Sequence, residues 1–207
     1  MIKTVLFDVD GTLIDTEQAV IQSFRDTMGI DPSVSDEELH FILGIPGVKV
    51  LERYSDSREE IQKLLELWVD KLGSYGKDVQ LFPGIFPLLE QLQVREYQLG
   101  IVTSKLRTDM ANTLEAFGLS NLFTVVITAS DTEKYKPNPE PILKALELID
   151  ADPQETIYIG DSIYDLQSAQ NSQVAFALAG WGAKNHEKFA QVHQLAAPED
   201  LIYYLEG

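Results

Sequence analysis

The stretch VLFDVDGTL, Val5 to Leu13, decides the fold. An apolar run stops on Asp8, and Asp10, Gly11 and Thr12 follow at once. A continuous apolar run is what a strand needs when both of its faces are covered, as in a parallel sheet. The two-residue period of a strand puts the Asp8 and Asp10 side chains on one side. Gly11 then lets the chain turn. Two carboxylates so placed repel each other, and the stretch holds nothing that offsets the repulsion. The compensating charge has to come from elsewhere in the chain.

The same signature recurs at Gln98–Ser104, Leu122–Thr128, Thr156–Gly160 and Val174–Leu178. Helical patterns lie between these strands. Ile85, Leu88, Leu89 and Leu92 repeat at three and four residues behind Pro83-Gly84, and Met110, Leu114 and Phe117 share a face that ends at Gly118. Pro139 and Pro141 stand where a helix starts, ahead of Ile142, Leu143, Leu146 and Ile149. Strands alternating with helices predict an α/β fold with a Rossmann-like doubly wound parallel sheet. From Ile14 to Gln80 only helical periodicity appears, over a length no ordinary connection has. The expected organisation is therefore a core of residues 1–13 and 82–207, with an inserted α-helical cap domain at 14–81. The segment from Asp15 to Asp78 carries 14 acids against 7 Lys and Arg.

Composition narrows the function. The chain has 207 residues, 44% of them hydrophobic and 24% charged, which suits a globular core. The absence of cysteine excludes disulfides, thiolate metal sites and cysteine nucleophiles. A net charge of −17 argues against nucleic acid as a partner. No apolar run reaches the ~18 residues of a membrane span. The N-terminus meets Asp8 too early for a secretory signal, so no membrane partner and a cytoplasmic location are expected. Oligomeric state is not legible.

Ligands in open α/β sheets lie beyond the carboxyl ends of the strands, and four motifs fall there. Asp8-Val9-Asp10-Gly11-Thr12 is the first; a capping turn is its plain alternative. Thr103-Ser104-Lys105 can offer hydroxyls and N–H groups to a phosphate, or simply cap a helix. Lys136, in Tyr135–Pro141, is either a point cation for Asp8 and phosphate or a surface lysine. Asp161 ends a strand, and Asp165 lies one helical turn on, giving two hard oxygen ligands for Mg²⁺ or a cap with a solvated neighbour. His40, His186 and His193 have no partner at metal-ligand spacing, and Trp68 and Trp181 read as packing residues. Tyr75 and Phe82 flank the expected return from cap to core.

These motifs, in this order and each at a strand end or just before a helix, resemble the haloacid dehalogenase-like superfamily in its phosphatase branch. The resemblance spans essentially the whole chain. DGTLIDT, PGI, VTSK, KPNPEP and GDS followed by Asp165 bring it nearest to the phosphoglycolate phosphatase and pyrophosphatase group. It implies a Mg²⁺-dependent hydrolase of a small phosphorylated metabolite. Asp8 would be the nucleophile and Asp10 the acid and base, with Lys136 paired to Asp8 and the phosphate. Gly11, Thr103 and Ser104 would bind the phosphoryl group. Mg²⁺ would be held by Asp8, the Asp10 backbone carbonyl and Asp161, with Asp165 supporting it through water or Lys136. The helical cap would select the leaving group. Lys49 and Arg53, one turn apart, are either its anion-binding pair or a solvated cationic face.

The same motifs separate neighbouring chemistries. Asp10 speaks against a dehalogenase, which lacks that acid. Gly160 stands where mutases of the β-phosphoglucomutase type usually carry Glu. Phosphoglycolate phosphatase-like activity is the leading expectation. Pyrophosphatase, sugar-phosphate phosphatase, mutase and a catalytically silent binding protein are the alternatives.

Overall fold

In a computed structural model, which describes residues 1–184 and 186–207, the chain forms two compact units. One comprises Met1–Leu13 with Leu81–Gly207, the other Ile14–Gln80.

The first unit is built on a six-stranded sheet of β1 (Thr4–Phe7), β2 (Gln98–Val102), β3 (Val125–Ile127), β4 (Thr156–Gly160), β5 (Ala175–Ala179) and β6 (His193–Leu195), in the order β3-β2-β1-β4-β5-β6. Every neighbouring pair is parallel. All four residues of β1 are buried, as its unbroken apolar run requires. Phe7 sits opposite Ile101 on one side and Ile159 on the other. Asp8, the next residue, therefore emerges between β2 and β4. The direction of winding reverses between β1 and β4, which makes that crevice the switch point where open α/β sheets bind ligands.

Helices Ile85–Val94, Arg107–Ala116, Glu140–Ile149, Ile163–Asn171 and Asp200–Glu206 belong to this unit. Helix Glu140–Ile149 buries Ile142, Ala145 and Leu146, at helical spacing, in one cluster with Leu6, Val102, Val125, Ile127 and Tyr158. Each such aliphatic side chain removed from water stabilises the fold by roughly 1.5–3 kcal/mol. Asp150 ends the helix in the left-handed conformation.

Several expectations on strands are corrected, and β3 covers only Val125–Ile127 of the expected Leu122–Thr128. β2 stops at Val102, because the Lys105 N–H turns back to the Thr103 hydroxyl at 3.2 Å and takes Thr103-Ser104 out of the strand. β6 was not legible. His193 and Gln194 are exposed and only Leu195 is buried, so an edge strand solvated along most of its length carries no apolar signature.

The second unit is mainly helical: Glu17–Met28, Asp36–Leu39, Gly47–Leu51 and Arg58–Ser74. It opens, however, with a two-residue strand, Ile14–Asp15, where no strand was expected. Its core gathers Ile21, Phe24, Leu39, Ile42, Val50, Leu51 and Trp68. Phe24 is the hub, with the Trp68 ring 4.9 Å away and the Tyr54 ring 5.9 Å away. Ser35 and Glu38 form a capping box at one helix start, and Gly29 ends the first helix with φ 64°. The buried indole N–H of Trp68 donates to the Ser23 hydroxyl at 2.9 Å. Tyr75 donates to Asp26 at 2.7 Å and so belongs to this unit's own packing.

Ser23→Ala leaves the Trp68 N–H buried without a partner, which costs about 1–3 kcal/mol. Tryptophan fluorescence during urea unfolding should show this as a lower midpoint at unchanged slope.

Candidate active site

Four side chains converge at the carboxyl ends of β1 and β4 and on the loop after β3. Asp8, Lys136, Asp161 and Asp165 are all buried. Lys136 Nζ donates to Asp8 Oδ1 at 2.8 Å, to Asp165 Oδ1 at 2.6 Å and to the Tyr158 hydroxyl at 3.2 Å. An ammonium has three protons, and these three acceptors use them all. The Tyr158 oxygen also lies 2.8 Å from the Val102 carbonyl. Its phenol thus ties the cation to the end of β2.

Asp165 is fixed from both sides. Its Oδ2 accepts from the Ser162 N–H and hydroxyl, closing the capping box that starts helix Ile163–Asn171, while its Oδ1 serves Lys136 and Tyr158. The bland alternatives for these motifs therefore fail. Lys136 is no surface lysine, Asp165 is not solvated, and Ser162 rather than Asp161 caps the helix. Likewise none of Thr103, Ser104 and Lys105 caps the helix that begins at Arg107; its N-cap is Leu106, without a side-chain bond.

Asp161 faces the turn after Asp10. Its Oδ1 accepts from the Thr12 hydroxyl at 3.4 Å. Gly11 has φ +80°, and a Cβ there would lie 2.4 Å from Asp161 Oδ2. Both facts demand glycine. The Gly11 carbonyl is approached as closely by Gly182, where a Cβ would come within 1.8 Å of it. Beside it the Trp181 indole donates to the Thr12 carbonyl at 2.8 Å.

Asp10 is separate from this cluster. Its carboxylate is bound through both oxygens by Lys105 Nζ, at 2.7 and 3.0 Å. Thr103 is buried immediately after β2, whereas Ser104 is exposed. Lys49 lies in the helical unit, exposed and paired with Glu52 at 2.8 Å. Arg53, its expected partner, sits over the Phe41 ring at 4.8 Å. Tyr158, Lys105 and Thr12 were not assigned from sequence. The signals were a phenol inside the otherwise apolar run TIYIG, a cation directly after Thr103-Ser104, and a hydroxyl directly after Gly11.

The charges do not balance among the protein's own groups. Asp8, Asp161 and Asp165 bring carboxylate oxygens within 4.8 Å of one another, and Lys136 is the one cation bonded to them among the described residues. Burial pushes the Asp8 carboxyl up to about 7, Lys136 pulls against this, and Asp165 adds to it. Asp161 is raised well above the usual carboxylate range by burial, then by Asp165 and Asp8. Burial would lower Lys136, yet Asp165 and Asp8 outweigh it and hold the ammonium above its ordinary value. Clustered hard oxygens in excess of cations are the donor set a divalent metal ion requires. The residues fit such an ion.

The family described as haloacid dehalogenase-like hydrolase matches residues 5–179. The pyrophosphatase PpaX of Oceanobacillus iheyensis is 32% identical over 201 residues, which is 97% of this chain and 94% of that protein. The crystal structure of a proposed phosphoglycolate phosphatase from Lactobacillus plantarum superposes with a TM-score of 0.90 at 31% identity, covering 98% of this chain and 99% of that one. A β-phosphoglucomutase from Clostridium difficile, at 22% identity and TM-score 0.84 over 100% of this chain and 96% of that one, shares the fold.

The raised carboxyls set a pH dependence. An acid whose folded pKa lies above its unfolded value costs the fold stability once pH exceeds the unfolded value, and for Asp8 that cost grows from about 3.8 to about 7. A divalent cation binds the ionised carboxylates and relieves the cost. Millimolar Mg²⁺ should therefore raise the melting temperature more at pH 8 than at pH 5, relative to EDTA. Asp161→Asn should shrink the pH 8 shift. Equal shifts at both pH values would place cation binding elsewhere.

Proposed function

The chain belongs to the haloacid dehalogenase-like hydrolase family, and from that premise we propose that it is a Mg²⁺-dependent phosphatase of a small phosphorylated compound. The observation that carries this reading is the buried Asp8 carboxylate, held by Lys136 at the switch point beside Asp161.

Asp8 Oδ2, the oxygen not bonded to Lys136, is the attacking atom. Its lone pair forms the new bond to phosphorus as the bond from phosphorus to the leaving oxygen breaks, giving an aspartyl-phosphate. The Asp10 carboxyl supplies the proton that the leaving oxygen takes up. In the second half, Asp10 accepts a proton from water as that water attacks phosphorus, and Asp8 and phosphate are released. The Lys136 ammonium keeps Asp8 oriented and neutralises charge on the phosphoryl group. Thr103, through its hydroxyl, and Ser104 and Gly11, through their backbone N–H groups, bind the phosphoryl oxygens. Asp8, Asp161 and the Asp10 backbone carbonyl would hold Mg²⁺, with Asp165 behind them bracing Lys136. When bound, the ion stabilises the negative charge that develops during phosphoryl transfer.

Two substrate classes fit this machinery. A phosphate monoester such as phosphoglycolate accords with the likeness to the Lactobacillus plantarum protein. Inorganic pyrophosphate is favoured specifically by the similarity to PpaX, which extends over nearly the whole chain. Phosphate release with and without Mg²⁺, over phosphoglycolate, pyrophosphate, hexose phosphates and nucleotides, distinguishes them. The preferred substrate should exceed the others at least tenfold in kcat/KM.

Asp8→Asn should abolish Mg²⁺-dependent release from p-nitrophenyl phosphate, and full activity in that variant would sink the scheme. For Lys49 the expected result is kinetic. Lys49→Ala should raise KM for the preferred anionic substrate more than for p-nitrophenyl phosphate, and equal effects would remove it from substrate binding.

A further inference from the structure

We propose that Lys105 is a positioning residue for Asp10, fixing the carboxyl that serves the leaving group. The inference rests on the acid and base role given to Asp10 above.

Three observations support it. First, Lys105 Nζ contacts both Asp10 oxygens, at 2.7 and 3.0 Å, and these are the hydrogen bonds the Asp10 carboxylate makes among the described residues. Second, Lys105 is unlike the other paired surface lysines. Its side chain is 15% exposed, against 68% for Lys3, 59% for Lys49 and 71% for Lys63. Third, its backbone is pinned at both polar atoms. The N–H donates to Thr103 Oγ1 at 3.2 Å, and the carbonyl accepts from the Ala129 N–H at 2.9 Å. The donor is therefore held by the ends of two strands.

Asp10 needs such a partner. Its side chain is 35% exposed and lies immediately before the positive-φ turn at Gly11. An unrestrained carboxylate there would sample several staggered rotamers. Two-point contact with one ammonium selects a single one. Positioning within a fraction of an ångström matters for proton transfer, because misplacement by about 1 Å can cost on the order of 10²-fold. Lys105 keeps its own protons throughout; the proton that reaches the leaving oxygen is carried by Asp10.

The test reads how strongly activity depends on the leaving group. The probes are 2,4-dinitrophenyl, p-nitrophenyl and phenyl phosphate at saturating Mg²⁺. Dinitrophenolate departs without a proton, whereas phenolate gains from an acid. The ratio kcat/KM covers transfer to Asp8 and excludes the later water step. Asp10→Asn should lose far more with phenyl than with dinitrophenyl phosphate, since general acid catalysis contributes roughly 10²–10⁴-fold. Lys105→Met, of similar length, should lose at least about tenfold with phenyl phosphate and under about threefold with dinitrophenyl phosphate. The double variant should match Asp10→Asn alone, because Lys105 acts only through Asp10. Lys105→Gln, with circular dichroism on every variant, guards against a folding defect.

A uniform loss across the three esters, no loss, or a multiplied loss in the double variant overturns the role of Lys105 and leaves that of Asp10 standing. If Asp10→Asn itself shows no leaving-group dependence, the acid reading of Asp10 falls and this inference falls with it.

Discussion

The site depends on a single buried ammonium. Lys136 binds Asp8 and Asp165 at once and uses its third proton on Tyr158. Burying charges is costly unless they are paired and every polar atom is satisfied. Here the pairing is complete for the lysine and incomplete for the carboxylates. Among the described residues Asp165 has partners on both oxygens and Asp8 on one, while the side-chain donor to Asp161 is the Thr12 hydroxyl, at a long 3.4 Å. The deficit is thus graded. It is least at the residue that braces the lysine and greatest at the residues that face the crevice.

That gradient reconciles the site with the rest of the molecule. A chain of net charge −17 repels anions at long range. A phosphate can enter only where cations dominate locally. Lys136 is already shared between Asp8 and Asp165, so on the reading proposed above a metal ion in the oxygen cluster would supply the rest of the attraction. Cation and phosphate would then arrive at a site that each makes habitable for the other. This is a reason for the carboxylates to outnumber the lysine: a fully neutral site would hold the cation too weakly.

Much of this was readable in the sequence, for physical reasons that differ by residue. The parallel sheet was legible because strands covered on both faces are nearly continuous apolar runs, as Thr4–Phe7 and Thr156–Gly160 are apart from Thr4, Thr156 and the Tyr158 hydroxyl. The convergence of Asp8 with Asp161 followed from strand ends, since all parallel strands deliver their carboxyl ends to one edge. Edge strand β6 was illegible because it has almost no buried face. Tyr158 was hidden by its neighbours, since one phenol in an apolar run reads as packing until its hydroxyl is located. The Lys105–Asp10 contact joins residues 95 apart in sequence, and nothing in the spacing of a flexible lysine says which carboxylate it will reach. Sequence patterns disclose what backbone periodicity controls; they do not disclose where long side chains end.

The two acids of VLFDVDGTL are chemically alike and structurally opposite. Asp8 is buried on a strand end and meets a buried ammonium through one oxygen. Asp10, two residues on, is partly exposed and meets a different lysine through both. The strand's two-residue period would place them side by side, but β1 ends at Phe7 and both acids lie beyond it. Gly11, at φ +80°, carries the chain round beneath Asp161 and leaves no room there for a side chain. Each carboxylate then has its own cation, Lys136 from the loop after β3 and Lys105 from the end of β2. Their mutual repulsion, which the stretch could not offset from within and which still helps to raise Asp8, is offset by giving the two groups separate partners. Separate partners would also suit the separate tasks proposed for them, for a nucleophile has to stay fixed and ionised while a proton carrier has to exchange its proton in every cycle.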